Sequence, residues 1–210
     1  RRRRRNMIGL LLGFGKTPGW FALAGLPVVY IGAFAALTQF VIPEMEDRGL
    51  QLITDFAKEY AQIDLSLNNR SCIAALFVAV LMQLGTFYVF LLFSCLTGGI
   101  DNENPRVERQ MLFLSPQGSF LGRLYAAHQN QSENVTCFAV AVFAAIVTTP
   151  SGFLSKSTAT SDVAAIAWTH VLARSMYWLM YALNFPNLRT FAYVASFECF
   201  VMLFLRALKN

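Results

Sequence analysis

Charge is scarce in this chain, and histidine scarcer still. Asp, Glu, Lys and Arg together make up 14% of its 210 residues, and there are two histidines and four cysteines. So little charge is incompatible with an ordinary soluble domain of this size. His128 and His170, with no third histidine and no cysteine at ligand spacing, leave no metal constellation. Cys72, Cys95, Cys137 and Cys199 all lie inside apolar runs, spaced neither as a disulfide framework nor as a zinc site, and are expected to be core thiols. A Gly-rich phosphate loop, a nucleophile elbow and a carboxylate dyad are all missing, so the usual signatures of nucleotide and acyl-transfer chemistry are gone. No secretory signal precedes the first apolar run.

Hydrophobicity fills the gap. The chain is 56% hydrophobic with a mean hydropathy of +0.47, and its long apolar runs predict transmembrane helices of about 20 residues each. Five are expected. The first runs from Trp20 to Ile42 with Pro27 in its first half, and the second from Cys72 to Leu96. The third runs from Glu133 to about Thr149, extending back towards Leu121 because Tyr125, His128 and Asn130 continue its helical pattern. The fourth is Asp162 to Leu183 and the fifth Leu188 to Leu205. The turn Asn184-Phe-Pro-Asn187 makes the last two antiparallel neighbours. The run Asn6 to Gly15 is too short to span and is expected at the interface.

Basic residues set the expected orientation. Arg1 to Arg5, Lys16, Arg106, Arg109, Arg123 and Arg189 share one side, which the positive-inside bias makes the inner one. Glu44 to Arg70 is acidic and falls opposite, with Ile53, Phe56, Tyr60 and Ile63 at the spacing of a helix lying on the bilayer. Most of the net charge of +5 sits in the arginine run, expected to meet anionic lipid or a partner rather than nucleic acid. The opening arginines, in place of methionine, fit a processed product such as an organellar precursor after cleavage, or a trimmed chain.

Polar residues inside the spans are the candidate site, because ionisable groups there are costly and usually face a bundle interior. Glu133 and Arg174, on the third and fourth spans, are expected to form a buried ion pair that locks helix register. Glu198 is a rival partner for Arg174. His170, one turn before Arg174, is expected near the same polar network, and His128 at the membrane border.

Several features occur together in one order: Asn102 to Arg106, Gly122-Arg-Leu-Tyr-Ala-Ala-His-Gln-Asn-Gln-Ser-Glu-Asn134, Arg174 with Tyr177 and Tyr181, and Asn187-Leu-Arg-Thr190. From Cys72 to the end the chain resembles the MAPEG family, the membrane-associated proteins in eicosanoid and glutathione metabolism. The expected fold is thus an all-α integral membrane protein: a MAPEG-like four-helix bundle over 72–210, preceded by an added unit, 1–71. That unit holds the basic terminus, an extra span and the acidic segment. The resemblance implies assembly as a homotrimer with glutathione bound between subunits. Carried over by position, Asn130, Glu133, Arg174 and Tyr181 would contact glutathione. Arg189 would stabilise the thiolate with Tyr193 one turn on, since a cation beside a thiol makes more nucleophile at neutral pH.

The pattern also departs from the enzymatic members. Ala126 and Gln129 stand where they carry arginines, and Ser94-Cys-Leu-Thr-Gly-Gly99 lacks their basic residue. Glutathione has two carboxylates, usually held by charge-assisted contacts. Two readings follow. The favoured one is a non-enzymatic accessory subunit of a larger membrane complex, with an organellar membrane (mitochondrion or plastid) as one expected setting, contacting lipid and other subunits and requiring no cofactor. The alternative is a glutathione-dependent transferase or peroxidase acting on lipophilic substrates.

Overall fold

A computed structural model of the chain describes residues 28, 30–66, 68–97, 120–148 and 161–209. Expectations that fall on the arginine run, Asn6 to Gly15, Pro27, Asn102 to Arg106 and Arg109 lie outside those residues. Among the described residues all secondary structure is helical.

Helix α1 comprises residues 30–61 and differs from expectation. It does not stop at Ile42. Instead a π-helical turn at Leu37–Val41, a short α segment Ile42–Glu44, a second π turn at Met45–Gly49 and the α segment Leu50–Ala61 follow without a break. The residues at each junction, Ala36, Val41, Glu44 and Gly49, all keep right-handed helical angles. Pro43 lies between the two wide turns. Proline has no N–H to give and crowds the preceding turn. The i→i+5 bonds from Ile42 to Leu37 and from Leu50 to Met45 let the helix pass it. The end comes at Gln62, which is left-handed (φ 58°); its amide and that of Ile63 (3.1 Å) both donate to the Ala57 carbonyl, a Schellman-like stop.

Four helices form the bundle: α2 (Asn68–Thr97), α3 (Phe120–Thr148), α4 (Ser161–Ala182) and α5 (Pro186–Lys209). Their direction follows from side-chain partners. Gln83 reaches Ser132 at 3.2 Å and Phe93 meets Phe120 edge-on, so α2 and α3 are antiparallel. Asp162 pairs with Arg206 at one end of α4–α5, while Tyr177 meets Tyr193 towards the other. Trp168 donates to Ser71, and Ser175 to Met82, which makes α2 and α4 parallel. Small residues such as Ala75, Ala79, Ala141, Ala145, Ala164 and Ala167 fill the core, allowing the close helix approach that packing in lipid depends on. The third helix begins at Phe120, as its earlier start near Leu121 predicts.

Three described helices, α2, α3 and α5, are long and apolar enough to cross a membrane. The expected fourth span does form a helix, α4, but it is not in that set. Its environment explains the difference. α4 packs against α1, α2, α3 and α5, so its surface matches protein more than lipid and need not be apolar all round.

A turn of three residues, 183–185, links α4 to α5. Asn184 takes a left-handed conformation (φ 63°), the Phe185 amide donates to Met180 O at 2.9 Å, and Pro186 opens the next helix. Proline suits a first helical position, where its missing N–H would have no partner anyway. The turn brings Tyr181 and Arg189 together at this end of the bundle. At the opposite end α1 crosses the flank: Tyr30 lies edge-on to Phe197 of α5, Met45 and Leu50 pack on the core, and the last turns run beside Trp168 and Ala74.

Candidate functional site

Arg174 lies at the centre of the bundle and is fully buried (0% exposed). Its Nε donates to Gln131 Oε1 at 2.7 Å, and its two terminal nitrogens donate to Asn130 Oδ1 at 3.4 and 3.3 Å. The guanidinium also lies over the Tyr177 ring, 4.4 Å from its centroid. A buried charge is tolerable only when hydrogen-bonded on most sides, and here two amide oxygens and a π face do that work.

The expected Glu133–Arg174 ion pair is not formed. Glu133 is exposed, and no carboxylate lies within salt-bridge distance of Arg174 among the described residues. Rotation along α3 is the reason. At about 100° per residue, Glu133 points some 160° away from Gln131, so only one of them can face α4. Glu198, the rival partner, makes no salt bridge among the described residues either and is only partly buried. Helical phase therefore gave the inner position to an amide and the outer one to the acid.

His170, one turn before Arg174, does not bond to it. Its ring stacks on Phe138 (3.9 Å, 7° between planes), and its Nδ1 donates to the Ser196 carbonyl at 2.9 Å. Towards the α4–α5 turn the polar ladder continues through aromatic rings. Tyr177 meets Tyr181 at 5.5 Å and Tyr193 at 5.9 Å, and the Arg189 guanidinium lies 4.3 Å from the Tyr181 centroid. Unlike Arg174, Arg189 is half-buried, and its side chain has no hydrogen-bond partner among the described residues. His128 is set apart near the α2 interface, 3.3 Å from Thr86 Oγ1 and against the Phe87 ring.

Of the candidate residues, the fold joins Asn130, Arg174, Tyr181, Arg189 and Tyr193 into one ladder and leaves Glu133 on the far side of α3. The chain matches the MAPEG family over residues 71–209. It belongs to the MAPEG family. No curated protein and no solved structure matches it. As an all-α MAPEG protein with three strongly apolar helices it is an integral membrane protein of the glutathione and eicosanoid family. The matched stretch begins just inside α2, and α1 lies before it.

Two contributors escaped the sequence reading. Gln131 carries the shortest bond to Arg174, and Ser196 offers the carbonyl that holds His170. Gln131 stood beside Asn130 in the recognised motif, but the rotation of α3 against α4 was needed to choose it. A backbone carbonyl has no sequence signal. The Gln131 Nε2, buried, has no partner among the described residues, which leaves one donor of the cluster unspent.

The outer face of α3 has its own pattern. Gln129, Glu133, Thr136, Val140, Phe143 and Val147 are all exposed, and their spacing alternates four and three. That is a heptad seam. Glu133 is fifteen residues from the end of α3 at Thr148, about 22 Å along the axis at 1.5 Å per residue.

Proposed function

We propose that this MAPEG protein is a non-enzymatic membrane subunit, a bundle used as a scaffold within a larger, organellar complex. The observation that carries this reading is the enclosure of Arg174. Each of its three nitrogens donates to Gln131 or Asn130, its face is covered by Tyr177, and none of it reaches the surface. A ligand carboxylate could reach it only by dismantling that cluster. With Ala126 and Gln129 where enzymatic members carry arginines, too few cations remain to hold both carboxylates and the thiolate of glutathione. The α3 seam supports the docking part of the proposal. A carboxylate exposed on a membrane-crossing helix costs several kcal/mol against lipid, so that face calls for a protein neighbour, either another subunit or further copies of this chain.

A second reading, a glutathione-dependent transferase or peroxidase on lipophilic substrates, draws on Arg189. It lies over Tyr181, one turn from Tyr193, with its side-chain donors unspent, and could polarise a thiol. Asn130 and Glu133 would then contribute from the α3 face, with glutathione as the only cofactor.

Titration calorimetry with glutathione separates the two. A charge-assisted hydrogen bond is worth about 1.5–3 kcal/mol, so two or three missing ones predict no saturable binding in the micromolar range, unchanged by Arg189→Ala. Low-micromolar binding that Arg189→Ala abolishes would establish the enzyme. Purification in mild detergent gives the matching readout: co-purification with a large assembly for the scaffold, a free homotrimer for the enzyme.

A further inference from the structure

The end of α1 and the flank of the bundle enclose an apolar groove of about 460 Å³. Leu52, Phe56 and Ile63 form its outer wall, and Ala74, Phe77 and Trp168 its inner one. Trp168, the one lining residue with a side-chain N–H, spends it on Ser71 Oγ at 3.0 Å. The groove therefore offers water nothing to bond. Apolar cavities of about 150 Å³ already stay dry and take up hydrocarbon, and this one is roughly three times larger.

Its surroundings identify the occupant. Phe77, 60% exposed, continues outward into Ile73, Val80, Leu81 and Leu84, all exposed on the membrane-spanning helix α2. The groove thus opens onto the lipid-facing surface. Ala74 and Phe77 lie six and nine residues into α2, about 9–14 Å below its start, a depth of acyl carbons beneath a headgroup. The wall contributed by α1 is amphipathic: Leu52, Phe56 and Tyr60 are apolar and exposed, while Gln51, Asp55 and Glu59 between them are polar. Such a helix rides at the headgroup boundary with its apolar face down.

The rim carries cations. Lys58 and Arg70 are exposed and flank Asp64, which falls between the lining residues Ile63 and Leu65. The Asp64 carboxyl is held below its ordinary range chiefly by the Ser66 amide and hydroxyl, and further by the charges of Arg70 and Lys58. Lys58 on α1 and Arg70 near the start of α2 are thus both exposed on the segments that border the groove.

We propose that this groove is a phospholipid site, holding one acyl chain between α1 and the bundle. It is independent of the scaffold reading and of the polar ladder. The bilayer supplies the ligand, and α1 builds the site.

The test uses the full chain reconstituted in phosphatidylcholine vesicles containing a phosphatidylcholine with a photoactivatable diazirine in its acyl chain. Cross-linked peptides are mapped by mass spectrometry. Labelling of residues 52–65 and 74–78 should exceed that of the open lipid-facing positions Leu84 and Leu92. Ala57→Trp and Ala74→Trp fill the groove from opposite walls, and each should abolish the excess while leaving Leu84 and Leu92 labelled as before. The unchanged labelling of α2 reports that the bundle is intact, and the second variant serves if the first misfolds. Equal labelling throughout, no labelling in the groove, or an excess that survives both fillings would overturn the proposal.

Discussion

Two arginines in this molecule make nearly the same contact in opposite surroundings. Arg174 and Arg189 each lie a little over 4 Å from a tyrosine centroid, Tyr177 and Tyr181 respectively. Arg174 is fully buried with each of its three nitrogens bonded to Gln131 or Asn130, whereas Arg189 is half-buried at the α4–α5 turn with a ring as its chief contact. The cation–π contact is common to both, so it cannot be what distinguishes them. Hydrogen bonding and depth do that. A fully enclosed guanidinium fixes how α3 sits against α4, and one at a bundle mouth retains donors for something outside.

The comparison breaks first at Arg174. Arg174→Ala leaves a cavity and strands the oxygens of Gln131 and Asn130, and should cost about 3–5 kcal/mol, read as a large fall in the unfolding midpoint in detergent. Arg189→Ala in the same assay should cost under about 1 kcal/mol. Equal losses would mean that Arg189 is also a structural lock. Next comes Gln131→Leu, which keeps the charge and removes its shortest bond. A loss of about 2–3 kcal/mol is expected, against little change in monomer stability for Glu133→Gln. Were Glu133→Gln the more damaging, the rotation of α3 described above would be wrong.

Smaller still is the ion pair Asp162–Arg206, 2.9 Å long and partly exposed. Asp162→Asn should cost about 0.2–1 kcal/mol and less in high salt, as thermal melts at two ionic strengths would show. The smallest effect belongs to Asp64. Its carboxyl pKa is lowered in the fold, so its contribution is complete above the ordinary value near 4 and is lost as pH falls through the lowered one. Hydrogen exchange at residues 62–66 should rise as pH is lowered through that range, after correction for intrinsic rates, and Asp64→Asn should remove the dependence.

Much of this architecture was legible because lipid imposes simple demands. Runs of apolar residues marked α2, α3 and α5, and the Asn184-Phe-Pro-Asn187 segment marked the tight return. The joining of Arg174, Tyr181 and Arg189 followed from the recognised motif. What failed did so at one angle and one junction. Choosing between Gln131 and Glu133 as the partner of Arg174 needs the rotation of α3, and a rule that buried charge seeks opposite charge pointed to the acid. The continuity of α1 past Ile42 was hidden because Pro43 and the acidic residues after it read as a boundary, and wide helical turns leave no sequence mark. Gln62, the true stop, is neither glycine nor asparagine.

The three-residue turn has a consequence for how the chain enters its membrane. α4 carries Arg174 near its middle and, unlike α2, α3 and α5, is not among the helices long and apolar enough to cross a membrane. A central arginine opposes insertion by about 2.5–3.5 kcal/mol, and its partners Gln131 and Asn130 are on a helix made earlier. The tight link to α5 means α4 need not partition alone. The two helices can cross as one hairpin, with α5 supplying the hydrophobic drive and α3 already waiting to receive the arginine. Lengthening residues 183–185 would then impair membrane integration during synthesis, even where the finished bundle tolerated the longer loop.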